Sequence, residues 1–125
     1  MGDSYGGGIV VDVNYAKDEV IIALAYDGDI YHADKTLVFA EQEVDTFNND
    51  VENGHSDWML PSLFDAKRIA INADFGTDTE NWTSTEFDND EQYIVLYDGT
   101  KIITDKNLKS VSTNYVVVRK QVVTA

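Results

Sequence analysis

Two short acidic segments in the second half of the chain carry oxygen atoms that could bind a cation. The first segment contains Asp78 and Glu80, and the second contains Asp88, Asn89 and Asp90. Calcium takes about six to eight oxygen ligands, and carboxylate and asparagine oxygens suit it well. The spacing differs from that of an EF-hand loop, so the alternative is that these acids are solvated loop residues. These five residues are the predicted ligand-binding residues; we expect no cofactor, and calcium is the alternative that their oxygen atoms would suit.

Residue types used in catalysis also occur, but without the spacing that a catalytic site needs. His55, Ser56 and Asp57 are neighbours in sequence, whereas a catalytic triad is defined by its geometry in space. The chain has two histidines and no cysteine, so a zinc site and a thiolate nucleophile lack their ligands. Paired carboxylates can hydrolyse glycosidic bonds, but among 23 acidic residues such pairs arise by chance. We therefore predict no catalytic residue, no zinc site and no enzymatic activity, and a glycosidase is the catalytic alternative.

The middle of the chain combines its only proline with the features of a helix start. Pro61 fixes its own φ angle and favours an extended conformation at Leu60. Ser62 can then cap a helix predicted over 63–73, with Asp65 as the reciprocal acid of a capping box. This arrangement predicts a turn that fixes the direction in which the chain enters the helix.

Two roles are open for the tryptophans. An exposed indole can stack on a sugar ring, whereas a buried indole anchors loops to the core and contributes roughly 2–4 kcal/mol by its area. We predict that Trp58 and Trp82 are buried anchors, together with Leu60 and Pro61.

Hydrophobic periodicity predicts the elements of the first half of the chain. Alternating apolar residues indicate strands over 9–13 and 20–26, which should form an antiparallel hairpin. A helix is predicted to follow an N-cap at Asp34. Its apolar face consists of Leu37, Ala40, Val44, Phe47 and Val51.

The second half of the chain is dominated by β-forming residues. The predicted strands are 81–87, 92–97, 101–104 and 115–123. Asp98-Gly99 is typical of a two-residue hairpin turn. The whole pattern predicts an α+β fold with one mixed, mostly antiparallel sheet and two helices.

Composition limits the partners and the number of domains. The 125 residues suit a single domain, predicted over 1–125 with a flexible lead-in at 1–7. Nine basic against 23 acidic residues give a net charge of −14, which repels phosphate, so nucleic acid is not expected as a partner. No apolar run has the length of a membrane span, and the first residues lack the pattern of a signal peptide. We therefore expect no membrane insertion and no export by the usual signal.

Several blocks of the chain, in the same order, resemble the C-terminal domain family of collagen-like adhesins. The most specific block is 54–62, in which a glycine is followed by Asp-Trp, one variable residue, Leu-Pro and a serine. The weaker blocks are 6–11, 20–25, 81–86, 92–99 and 114–119. The chain departs from the family at Thr83, where serine is usual, and at Arg119, which falls one position early.

The resemblance implies a C-type-lectin-like fold and a binding or structural role without catalysis. Members of the family occur in phage virion proteins and in bacterial surface proteins. We therefore expect a virion component, such as a decoration, tail or fibre protein, that contacts other virion proteins or a glycan or protein of the host surface. The alternative is a glycan-binding adhesin domain at a bacterial cell surface. A homo-oligomer would use the closing strand 115–123 as its interface edge.

Overall fold

The computed structural model describes residues 4–24, 31–72 and 80–123. The helices in these ranges are α1 (Leu37–Asn49), α2 (Leu63–Asn72) and a short 3-10 helix (Glu52–Gly54). The strands are β1 (Ser4–Tyr5), β2 (Gly8–Asn14), β3 (Glu19–Ala23), β4 (Tyr31–Lys35), β5 (Asn81–Glu86), β6 (Glu91–Tyr97), β7 (Ile102–Leu108), β8 (Thr113–Val116) and β9 (Val118–Val122). The predicted α+β class with two α-helices is confirmed. None of the described helices is long and apolar enough to cross a membrane.

The strands form two curled sheets rather than the single sheet that the sequence predicted. Their orders are β1-β2-β3-β9 and β4-β8-β5-β6-β7, and β5 with β8 is the parallel pair among otherwise antiparallel neighbours. The difference arises because the predicted strand 115–123 breaks at Val117, so β8 joins one sheet and β9 joins the other. Val117 is buried, and its carbonyl accepts a hydrogen bond from the amide of Leu24 at 2.9 Å.

The predicted first hairpin forms between β2 and β3, which pair antiparallel. A register shift next to Asp12 turns both Val11 and Asp12 inward, whereas strict alternation places them on opposite faces. The expected lead-in at 1–7 contains β1, which pairs with β2. Gly6 and Gly7 form the turn between these strands, with φ angles of 58° and 89° that glycine adopts without strain. The described part of the lead-in therefore belongs to the first sheet and is not a free segment.

α1 begins at Leu37, later than an N-cap at Asp34 would place it. The N-cap residue is Thr36, because Asp34 lies within β4, whose pairing with β8 keeps this stretch extended. Val51 also differs from the prediction: it lies beyond the helix in a left-handed conformation and is exposed. The rest of the predicted apolar face is confirmed as buried: Leu37, Ala40, Val44 and Phe47.

α2 begins where the Pro-Ser sequence predicted. Ser62 Oγ accepts a hydrogen bond from the amide of Asp65 at 3.1 Å. The carboxylate of Asp65 is used outside the predicted capping box, because it binds Nζ of Lys120 in β9 at 2.8 Å. This hydrogen bond raises the pKa of Lys120. The helix buries one face against the sheets through Ala66, Ile69 and Ala70.

Replacing Ser62 with alanine should lower the free energy of unfolding by about 1 kcal/mol, because an amide at the start of α2 loses its acceptor. Urea unfolding followed by circular dichroism measures the change. Ser56→Ala is the matched control, since Ser56 is exposed and lies outside the helices, and it should change the free energy by less than about 0.5 kcal/mol. Equal losses in the two variants would contradict the capping role.

Two hydrophobic clusters connect the helices to the sheets. The first gathers residues of α2, β2, β3 and β6, and the second gathers residues of α1 and both tryptophans. The closing segment contributes to both clusters alternately: Val116 and Val118 belong to the first, whereas Tyr115 and Val117 belong to the second. This segment is apolar on both faces because it lies between two cores.

The β6–β7 hairpin has a longer loop than the two residues predicted at Asp98-Gly99. Four residues, 98–101, separate the two strands. Asp98 Oδ1 closes the loop by accepting hydrogen bonds from the amides of Thr100 at 2.9 Å and Lys101 at 2.8 Å. β7 then continues to residue 108, beyond the predicted strand 101–104, because all seven of its residues pair with β6.

Candidate binding groove

Both tryptophans are buried, as the sequence predicted. Trp82 donates its indole N–H to the carbonyl of Lys35 at 2.9 Å, and Trp58 donates to the carbonyl of Glu52 at 3.0 Å. Leu60 and Pro61 are buried as well, so the predicted burial is confirmed for all four residues. Neither tryptophan presents the exposed indole that the sugar-stacking alternative requires.

The segment from Trp58 to Leu60 crosses between α1 and β9 and is bonded to both. Asn48 of α1 donates from Nδ2 to the carbonyl of Trp58 at 2.9 Å, and its Oδ1 accepts from the amide of Trp58 at 2.8 Å. Met59 exchanges two backbone hydrogen bonds with Val118, at 2.7 and 2.8 Å. The segment thus pairs with the beginning of β9, which is part of the strand 115–123 that the sequence suggested as the interface edge of a homo-oligomer.

Arg119 connects Asp57, which precedes this segment, to the turn between β1 and β2. Its Nε donates to Oδ1 of Asp57 at 2.7 Å, and its Nη1 donates to the carbonyl of Gly6 at 3.0 Å and to Oε1 of Gln121 at 2.7 Å. The guanidinium is buried, whereas the Asp57 carboxylate is about half exposed. The hydrogen bond from Arg119 lowers the pKa of Asp57.

The same ion pair explains why neighbouring hydrolase-type residues do not form a triad. Asp57 faces Arg119, and the ring of His55 packs edge-on against the indole of Trp58, with 6.4 Å between ring centroids. Ser56 is exposed. Each side chain therefore points to a different partner or to solvent, and no nucleophile–base–acid chain links them.

The structure separates the predicted ligand-binding acids. Glu80 precedes β5, whereas Asp88, Asn89 and Asp90 follow it in the β5–β6 turn. A six-residue strand spans about 20 Å, so Glu80 and the turn cannot contribute to one small site. Asp78 lies outside the described residues.

Within the turn, Asp88 uses one carboxylate oxygen to hold the backbone. Its Oδ1 accepts hydrogen bonds from the amides of Asp90 at 2.9 Å and Glu91 at 2.8 Å, which lower the pKa of Asp88. Lys106 lies 3.7 Å from the ring centre of Phe87 in the same turn. The described ranges contain no group of three or more histidine or acidic side chains arranged for a metal ion. Ligand binding at this turn remains a prediction.

Sequence reasoning did not find two ion pairs that join α2 to the first sheet. Arg68 donates two hydrogen bonds to the carboxylate of Asp12, from Nε to Oδ2 at 2.6 Å and from Nη2 to Oδ1 at 3.2 Å. Nζ of Lys120 binds Oδ2 of Asp65 at 2.8 Å. These four residues line a cavity of about 170 Å³. An aspartate within an apolar strand was the available signal, because a buried carboxylate requires a cationic or hydrogen-bonding partner.

A larger groove lies beside the segment from Trp58 to Leu60, and we call it the α1 groove. It has a volume of about 300 Å³ and lies between α1, the Trp58–Leu60 segment and strands β5 and β6. Its buried apolar lining residues are Val44, Trp58 and Leu60, which form the floor, and Gln92 is a buried polar lining residue. The other lining residues are Glu41, Asp45, Asn48, Met59 and Ser84.

The walls of the α1 groove differ in charge. Glu41 and Asp45 lie one turn apart on α1, are exposed, and take part in none of the ion pairs of the described residues. Ser84 and Gln92 lie on the opposite side, where Gln92 is buried and donates from Nε2 to the carbonyl of Thr83 at 2.9 Å. The groove therefore offers oxygen acceptors above an apolar floor. The spacing of Glu41 and Asp45 beside a buried valine was the signal that could have indicated it.

The fold and the groove define a small α+β module with two helices and two curled, mostly antiparallel sheets. Comparison with family models and with curated proteins finds no match for the chain. The resemblance to the collagen-like adhesin domains therefore rests on the residue blocks alone.

Proposed function

We propose that this chain is a non-enzymatic structural or attachment module of a phage virion, with a C-type-lectin-like fold. The observation that carries the proposal is that the residues of segment 54–62 are bonded to the scaffold, whereas the groove next to it is open to solvent. The aromatic and charged residues of the segment, Trp58 and Asp57, are bonded into the scaffold, while the α1 groove beside it faces outward. A rigid frame that presents a surface suits attachment.

The outward faces of both helices support a role in contacts with other proteins. Val38 and Phe39 of α1 are exposed, and Phe64 and Ile71 of α2 are 67% and 71% exposed. Exposed groups of large apolar side chains often mark interaction surfaces. Other virion proteins, a host-surface protein or a second copy of the chain are the partners that such faces would suit.

The virion is proposed as the location on the resemblance of segment 54–62 to a family found on particles. The net charge of −14 favours solubility and mutual repulsion at a crowded surface. The alternative location is a bacterial cell surface, where the same module would act as a glycan-binding adhesin. In that case the α1 groove would have to contact the sugar.

Mass spectrometry of virus particles tests the proposal. We expect the intact chain in density-gradient-purified particles, at a constant ratio to the other structural proteins, and immunogold labelling at one part of the particle. Recovery of the chain with washed bacterial cells and its absence from particles would contradict the proposal. A glycan array on the purified chain would then examine the adhesin alternative.

A further inference from the structure

We propose that the α1 groove receives an arginine side chain from a protein partner. This inference rests on the proposed attachment role and names the ligand chemistry of its surface. It follows from the shape of the groove, from the charge on one wall and from the acceptors on the other.

The shape of the groove fits one long side chain. Its volume of about 300 Å³ is at the lower end of the range for ligand pockets. The floor consists of the buried side chains of Val44, Trp58 and Leu60. Arginine and lysine bury their methylene stems along apolar surface while the charged end stays near water, so the floor matches the stem.

The charge of the helix wall favours a cation. Glu41 and Asp45 lie on the same side of α1 as Val44 and line the groove together with it. α1 carries three acidic residues and no lysine or arginine, and the whole chain has a charge of −14. The resulting negative field attracts cationic groups and raises their association rate.

The acceptors opposite the helix favour arginine over lysine. The Nε2 atom of Gln92 is held by the carbonyl of Thr83, so the amide oxygen is the atom of this side chain left to accept from a ligand. Ser84 adds a hydroxyl oxygen on the same side. A guanidinium presents five donors in one plane and can reach acceptors on both walls, whereas an ammonium is a compact point charge.

An NMR titration of the full-length chain tests the inference. N-acetyl-arginine amide should shift the indole N–H of Trp58 and the side-chain amide of Gln92. N-acetyl-citrulline amide has nearly the same shape without the charge, so it cannot form ion pairs with Glu41 and Asp45. Each exposed ion pair contributes a factor of about 1.4 to 5 to affinity, and we therefore expect the citrulline probe to bind at least about fivefold more weakly.

Two double variants separate the groove from general charge effects. Glu41→Gln with Asp45→Asn should weaken binding of the arginine probe about fivefold or more. Glu43→Gln with Asp50→Asn removes the same charge from exposed positions outside the groove and should change affinity by less than about twofold. The urea midpoints of both variants confirm that they are folded.

Three results would overturn the inference: equal affinity for the citrulline probe, equal losses in the two double variants, or larger shifts at Trp58 with a neutral monosaccharide. These results are independent of the particle measurement. If the chain is found in virions and the arginine probe fails, only the ligand assignment is wrong. If the probe binds and the chain is absent from particles, only the virion location is wrong.

Discussion

Replacing Trp82 with alanine is expected to lower the free energy of unfolding by about 3–5 kcal/mol. The indole is fully buried in the cluster that also contains Phe47, Ile94 and Tyr115. Alanine would leave a cavity and would remove the donor that satisfies the carbonyl of Lys35. Equilibrium urea unfolding followed by far-ultraviolet circular dichroism measures the loss without using the deleted chromophore.

Two further variants make the Trp82 experiment specific. Tyr15→Ala removes an aromatic side chain that is 87% exposed, and it should change the free energy of unfolding by less than about 0.5 kcal/mol. Trp82→Phe keeps most of the apolar volume and loses the indole donor, so its loss in the free energy of unfolding should lie between those of Trp82→Ala and Tyr15→Ala. A loss below about 1 kcal/mol in Trp82→Ala would show that this residue is not an anchor.

Local patterns in the sequence were sufficient to predict most individual elements. The β2–β3 hairpin, the buried face of α1 and the Ser62 cap depend on residues within a few positions of one another. Periodicity and capping are properties of such short stretches. The burial of Trp58 and Trp82 was also predictable, because large aromatic side chains dominate small cores.

The division into two sheets depends on distant partners and could not be predicted in this way. A run of valines at 116–118 is typical of one continuous buried strand. The chain changes sheets at Val117, where the amide of Leu24 binds the carbonyl between β8 and β9. The partners of the two halves are all far away in sequence, since β8 pairs with β4 and β5 whereas β9 pairs with β3. The strand β4 was missed for the same reason, since its pairing with β8 outweighs the helix signal at Asp34.

The candidate site has the same non-local origin. The α1 groove combines residues of α1 with residues 58–60 and with residues of β5 and β6, so no short motif contains it. The two arginines of the chain each bind an aspartate more than 50 positions away. The sequence predicted the anchors of the frame, whereas the opening between them exists only after the sheets have assembled.

The second large effect is expected at the pair of Asp57 and Arg119. Asp57→Ala should lower the free energy of unfolding by about 2 kcal/mol at pH 7, because the guanidinium of Arg119 is 7% exposed and would lose its carboxylate. This loss is smaller than the roughly 3–5 kcal/mol expected for a fully buried pair, since the side chain of Asp57 is 54% exposed and solvent screens the pair. Asp50→Ala, at an exposed position, is the control.

The pH dependence of this effect follows from the pKa of Asp57, which is lowered in the folded protein from its ordinary value of 3.8. A lowered pKa means that the carboxylate stabilises the fold fully above the unfolded-state value and loses this contribution as the pH falls through the folded-state value. The difference between wild type and Asp57→Ala should therefore be constant from pH 7 to about pH 5 and should narrow below pH 3.8. Urea midpoints measured across this range check it. If the difference in stability between wild type and Asp57→Ala stays constant below pH 3.8, protonation of Asp57 does not weaken its hydrogen bond with Arg119. The loss in Asp57→Ala would then come from packing and not from the ion pair.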